Sequence, residues 1–144
     1  MTPLEAFRGA WGWTGISFAE IRAVSPMGHV VFADAEGCLH YFDPGLLAIE
    51  PLGNEEATRE HFASEETRLI WDATALTDAA RERLGDCSEG SVYSPNPLAL
   101  LEGNYDGEEL CIMPLAELIS LTGEIARQTK DLPPGSRFRI KIVD

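Results

Sequence analysis

The sequence predicts an α+β fold: a single domain over residues 1–144, with a mainly antiparallel twisted sheet and helices packed against it. Three observations predict it. Between Glu20 and Leu52, short strand-like runs alternate with turn residues, the pattern of an antiparallel meander. From Asn54 to Gly85 the pattern turns helical and acidic, with polar residues placed to cap. From Glu109 onward a strand, an amphipathic helix and an alternating strand follow one another. A length of 144 residues suits one domain, and 44% apolar with 24% charged residues is ordinary for a globular chain.

The elements follow in order. Residues 3–12 read as a short helix with Thr2 as cap, Pro3 in the first turn and Leu4, Phe7, Ala10 and Trp11 inward. Trp11 and Trp13 read as core anchors. Ile21 to Ser25 is a strand that Pro26-Met27-Gly28 breaks. His29 to Asp34 and Cys38 to Asp43 form a hairpin around Ala35-Glu36-Gly37, with Gly37 supplying a positive φ and Phe32 facing His40. Asp43-Pro44-Gly45 turns the chain into a fourth strand, Leu46 to Pro51. Asn54 caps one helix, with Phe62 as its core residue, and Ser64 caps the next. Leu69, Ile70, Ala73, Leu76, Ala80 and Leu84 supply apolar positions, a break is expected near Thr77-Asp78, and Gly85-Asp86 ends the helical stretch. Residues 86–108 read as ordered loop with a short strand or two, and Glu109 to Met113 returns to sheet.

In the terminal unit, Leu115, Leu118, Ile119, Thr122, Ile125, Ala126, Thr129 and Leu132 form one buried helical stripe. Glu124/Arg127 and Arg127/Asp131 can pair on the opposite side. Gly123 inside this helix costs about 1 kcal/mol against Ala, so it marks either a close backbone neighbour or a tolerated defect. Pro133-Pro134-Gly135 stops the helix. Phe138, Ile140 and Ile142 then alternate with Arg137, Arg139 and Lys141 in a half-buried strand that is expected to cover the helix's stripe.

Chemistry-bearing motifs are sparse. The chain has neither a glycine-rich phosphate cradle nor a Gly-x-Ser-x-Gly elbow. His29 and His40 read as satisfied sheet histidines. His61 and Glu65 have metal-ligand spacing, but Ser64 is expected to break the helix between them. Cys38, Cys87 and Cys111 are odd in number and lack Cys-x-x-Cys spacing, against a disulfide frame or zinc site. Cys87 and Cys111 read as small buried hydrophobes, a cysteine enzyme being the alternative. No catalytic set, cofactor or metal site is expected. A start without the basic and apolar regions of a signal peptide points to the reducing cytoplasm.

Charge is the stronger signal. Twenty-four acidic against eleven basic residues leave a net −13. That disfavours direct contact with nucleic acid or an anionic membrane and favours a basic protein partner, although solubility alone also accounts for it. Two acidic patches are candidate partner-binding sites. One is the loop of Glu102, Tyr105, Asp106, Glu108 and Glu109, an aromatic with acids suited to Arg and Lys. The other is the pair of helix starts, Glu55/Glu56 and Glu65/Glu66.

Several residues together resemble a known family. They are Trp11-Gly12-Trp13 after a short helix, Gly28 before a strand, and the Asp34-Ala35-Glu36-Gly37 turn leading to Tyr41. Leu100 to Tyr105, Leu118 to Ile125 and Lys130-Asp131-Leu132-Pro133-Pro134-Gly135 complete the set. This pattern resembles the C-terminal domain of type VI secretion immunity proteins of the DNase-effector type. The match is strongest after residue 92 and weakest from 54 to 85. Glu102-Gly103 departs from a glycine pair usual before the tyrosine loop, and the extra N-terminal domain of some members is missing. The resemblance implies a stand-alone immunity-type domain that binds and neutralises a cognate toxin, a nuclease effector with a basic surface. An adaptor that carries an effector without inhibiting it is the alternative.

Overall fold

The computed structural model describes residues 1–95 and 110–130. Helix α1 (Pro3–Ala10) begins where Thr2 accepts the Glu5 N–H, and a 3₁₀ turn (Gly12–Thr14) follows it. Strands β1 (Phe18–Val24), β2 (Val30–Asp34), β3 (Leu39–Asp43) and β4 (Ala48–Gly53) form an antiparallel sheet in the order β1-β2-β3-β4. Three helices come next: α2 (Glu55–Ala63), α3 (Glu65–Asp72) and α4 (Thr74–Leu84). Strands β5 (Ser91–Pro95) and β6 (Leu110–Pro114) pair antiparallel, and α5 (Leu115–Thr129) closes the described chain. The α+β class is as the pattern predicts. Among the described residues no helix is long and apolar enough to cross a membrane.

Strand alternation divides the sheet into two faces. On the first, Phe18, Val30, Phe32 and Phe42 pack with Phe7 and Trp11 of the N-terminal segment and with Leu115, Leu118 and Ile119 of α5. Phe7 stacks on Phe18 at 5.0 Å and meets Phe42 edge-on at 5.1 Å, forming an aromatic cluster at the centre of this face. Trp11 buries its indole and donates Nε1–H to the Ile119 carbonyl at 3.0 Å, tying α1 to α5. On the second face, Val31, Ala33, Leu39 and Tyr41 meet half-buried Leu52, Phe62 and Trp71. A third cluster joins Met27, Ala80, Tyr93 and Leu110 under α4.

Two glycines are required by these packings. Gly28 has φ +83°, and a Cβ there would stand 2.6 Å from Leu118 Cδ2. At Gly123 a Cβ would meet the Ala10 Cβ and carbonyl oxygen at 2.7 Å and Trp11 Cδ1 at 2.8 Å. Of the two readings of Gly123, the close backbone neighbour is the one observed.

Local predictions hold where side chains bond nearby backbone. Gly37 has φ +85°, and Phe32 pairs with His40. Asn54 and Ser64 accept from Ala57 N–H and Thr67 N–H as caps. Glu124 and Arg127 pair; Asp131 and the predicted strand from Arg137 to Ile142 lie outside the described residues. The stripe of α5 is covered by α1 and by the sheet's aromatic face.

Other expectations need correcting. The first strand runs Phe18–Val24, and Leu46 and Leu47 belong to the turn before β4. Trp13 is 37% exposed, with Lys130 Nζ 5.3 Å from its ring, so one of the two indoles anchors the core. The helical break falls at Ala73, in the left-handed region with φ 41°, and not at Thr77-Asp78; Thr77 is buried within α4 and donates its hydroxyl to the Asp72 carbonyl. Leu69 and Ile70 face solvent, because the half-buried residue turned toward the sheet in α3 is Trp71.

Candidate functional site

The histidines are held by local partners. His40 Nε2 lies 2.9 Å from Asp34 Oδ2, and its ring stacks on Phe32. Asp34 also accepts the Glu36 and Cys38 backbone N–H groups, so the carboxylate that closes the hairpin orients the imidazole. The bond from His40, with those two N–H groups, holds the Asp34 carboxyl below its ordinary value. His29 Nδ1 lies 2.6 Å from the Tyr41 hydroxyl, and Nε2 lies 3.9 Å from Asp43 Oδ1. Burial pushes the His29 imidazole down, with Asp43 opposing, and burial pushes the Tyr41 phenol well up. Both groups therefore stay neutral at neutral pH. His61 packs against Tyr41 at the end of α2, and Ser64 separates it from Glu65.

Cys87 and Cys111 have the opposite environment to a nucleophile. Burial pushes both the Cys87 and Cys111 thiols up, whereas an activated thiolate needs a lowered pKa. Cys111 Sγ points to the Ser94 carbonyl at 3.4 Å, and Cys87 packs in the third cluster, as small hydrophobes do.

Of the predicted partner-binding residues, Glu55, Glu56, Glu65 and Glu66 occupy the exposed first turns of α2 and α3. Each helix start favours the negative charge it carries. Glu55 also reaches Arg22 at 3.6 Å, an exposed pair of small energetic weight. Glu102, Tyr105, Asp106, Glu108 and Glu109 lie outside the described residues.

Sequence reasoning missed a groove of about 420 Å³ between the turn after β3 and the α3–α4 junction. Met27, His29, Ser94 and Leu110 line it with Asp43, and Leu46, Leu69, Ile70 and Leu76 stand at its edges. Those four aliphatics are 72%, 65%, 51% and 39% exposed. On α3, Glu65 and Glu66 lie four residues before Leu69 and Ile70, hence on the same sides of the helix. A leucine pair directly after Asp-Pro-Gly, and an aliphatic pair one turn after two acids, were the available signals. A single sequence gives such residues the same apolar weight as core.

A second hollow, about 450 Å³, lies over Val31, Leu39, Phe62 and Trp71 with Arg22, Glu55 and Arg59 at its rim. Comparison with known proteins adds no assignment: no family model matches the chain, and no curated protein is significantly similar to it.

Proposed function

We propose that this chain is an immunity-type protein that binds a cognate antibacterial toxin with a basic surface and neutralises it, the toxin being a type VI secretion nuclease effector. Inhibition is by occupation: acidic side chains stand where the nuclease would hold phosphates, and the chain does no chemistry of its own. The observation that carries the reading is the pair of exposed acidic helix starts, Glu55/Glu56 and Glu65/Glu66, on successive helices of a chain with net charge −13. A field of that sign speeds association with a cationic cleft and repels nucleic acid. The resemblance to the immunity family supports the same reading from different residues.

The test is a DNA-cleavage assay with whatever nuclease the neighbouring open reading frames encode, the absence of one there counting against the proposal. Equimolar protein should abolish cleavage. Reversing Glu55, Glu56, Glu65 and Glu66 to Lys should slow association, more at low salt than at high. Reversal at Asp106, Glu108 and Glu109 tests the other acidic patch in the same way. Binding with full nuclease activity would make the chain an adaptor instead, and turnover of a substrate by the protein alone would refute the proposal.

A further inference from the structure

We propose that the groove between the β3–β4 turn and the α3–α4 junction is a docking site for a basic, aliphatic-bearing segment of a protein partner. The proposal rests on the preceding reading for the partner's charge and adds where and how the partner is gripped. Leu46, Leu69, Ile70 and Leu76, from three separate elements, converge on one concavity with Met27 and Leu110 inside it. Scattered exposed aliphatics are ordinary, but a convergent set around a groove marks a binding surface. Their convergence depends on Ala73, whose left-handed backbone turns α3 directly into α4 without a linker.

Charge selects the occupant. Glu65 and Glu66 flank the α3 aliphatics one turn back, Asp72 follows them, and Asp43 lies in the groove beside His29. A second copy of this chain would bring the same acids against their own counterparts and carries −13 itself. An anionic lipid surface is repelled for the same reason. A segment with Leu- or Ile-like side chains flanked by Lys or Arg satisfies both the apolar walls and the acids near them, Asp43 in the lining and Glu65, Glu66 and Asp72 along α3. Aliphatic anchors then supply the contact energy, and the acids supply steering and register.

The experiment uses the intact protein with methyl-labelled Leu and Ile and two probes: an amphipathic Leu/Lys peptide, and the same peptide with every Lys replaced by Glu. The Leu/Lys peptide should shift the methyl signals of Leu46, Leu69, Ile70 and Leu76. The Leu/Glu peptide should leave them in place. Leu69→Ser with Ile70→Ser should weaken the Leu/Lys peptide at least tenfold, and Leu46→Ser, on a turn and outside the helices, repeats the measurement should the double variant unfold. Unmoved methyls, equal binding of both peptides, or a dimer that the Ser variants dissociate would each overturn the proposal. In the nuclease assay, full potency of the Ser variants refutes the groove and leaves the inhibitory function standing. Groove binding by the peptide with no inhibition by the unmodified protein does the reverse.

Discussion

The two faces of the four-stranded sheet are built on different terms. The first is closed by α1 and α5, and Phe7, Phe32, Phe42 and Leu118 on it are fully buried. The second is roofed by α2 and α3, where Phe62 and Trp71 are half-buried and hollows open beside them. One face carries the fold, and the other leaves apolar surface only partly covered. The largest effect expected from this contrast is at Phe32. Phe32→Ala should cost about 3–5 kcal/mol, since removing a fully buried ring leaves a cavity. Phe62→Ala should cost about 1–2 kcal/mol, because solvent already reaches that ring. Denaturant unfolding of both variants measures the difference, and equal losses would erase the distinction between the faces.

Next in size is Gly123→Ala. In an open helix the change would stabilise by about 1 kcal/mol. Here the new Cβ meets Ala10 backbone and the Trp11 ring at under 3 Å, so α1 must move away from α5. A loss of about 1–3 kcal/mol is expected, with a weakened Trp11–Ile119 bond reported by indole fluorescence. A gain in stability would show that the helices separate freely.

The sequence made the first face far more legible than the second. Thr2-Pro3, Gly28, Gly37 and the α5 stripe each state a local rule that the fold obeys. Their partners are close in sequence or dictated by period. The acidic starts at Asn54-Glu55-Glu56 and Ser64-Glu65-Glu66 were legible for the same reason. The groove was not. An αL residue is usually flagged by Gly or Asn, and Ala73 carries no such flag. Leu69 and Ile70 differ from core residues in tertiary position alone, as does exposed Trp13 beside buried Trp11. Which apolar residue is left over is decided by packing, after local rules have been used up.

A smaller effect separates the faces by pH. His29 stands with Tyr41 and Asp43 at the margin of the second face, and burial lowers its pKa from 6.5. As pH falls through about 6.5 the unfolded chain takes up this proton before the folded one does. Stability is therefore complete above that pH and declines below it, toward the lower folded value. Asp34 and Glu124, both held low, keep their contributions until pH drops below their ordinary values of 3.8 and 4.5. The melting temperature should thus begin to fall near pH 6.5, and His29→Gln should flatten the decline that begins there. An unchanged slope in the variant would place the titrating group elsewhere.

The smallest effect concerns the backbone that shapes the groove. A non-glycine residue in the left-handed region costs about 1–2 kcal/mol, so Ala73→Gly relieves strain at the α3–α4 junction. The glycine, however, adds about 0.5–1 kcal/mol of unfolded-state entropy and gives up a half-buried methyl. These terms nearly cancel, and the variant should unfold within about 0.5 kcal/mol of the parent. Ala73→Val has no such compensation, because a β-branched side chain tolerates that backbone still less, and it should cost more than about 1 kcal/mol. Neutrality for Gly with a clear loss for Val is the signature of a residue chosen for its backbone angle. If both variants were neutral, α3 and α4 would be free to rearrange, and the convergence of Leu69, Ile70 and Leu76 would not be a fixed property of the second face.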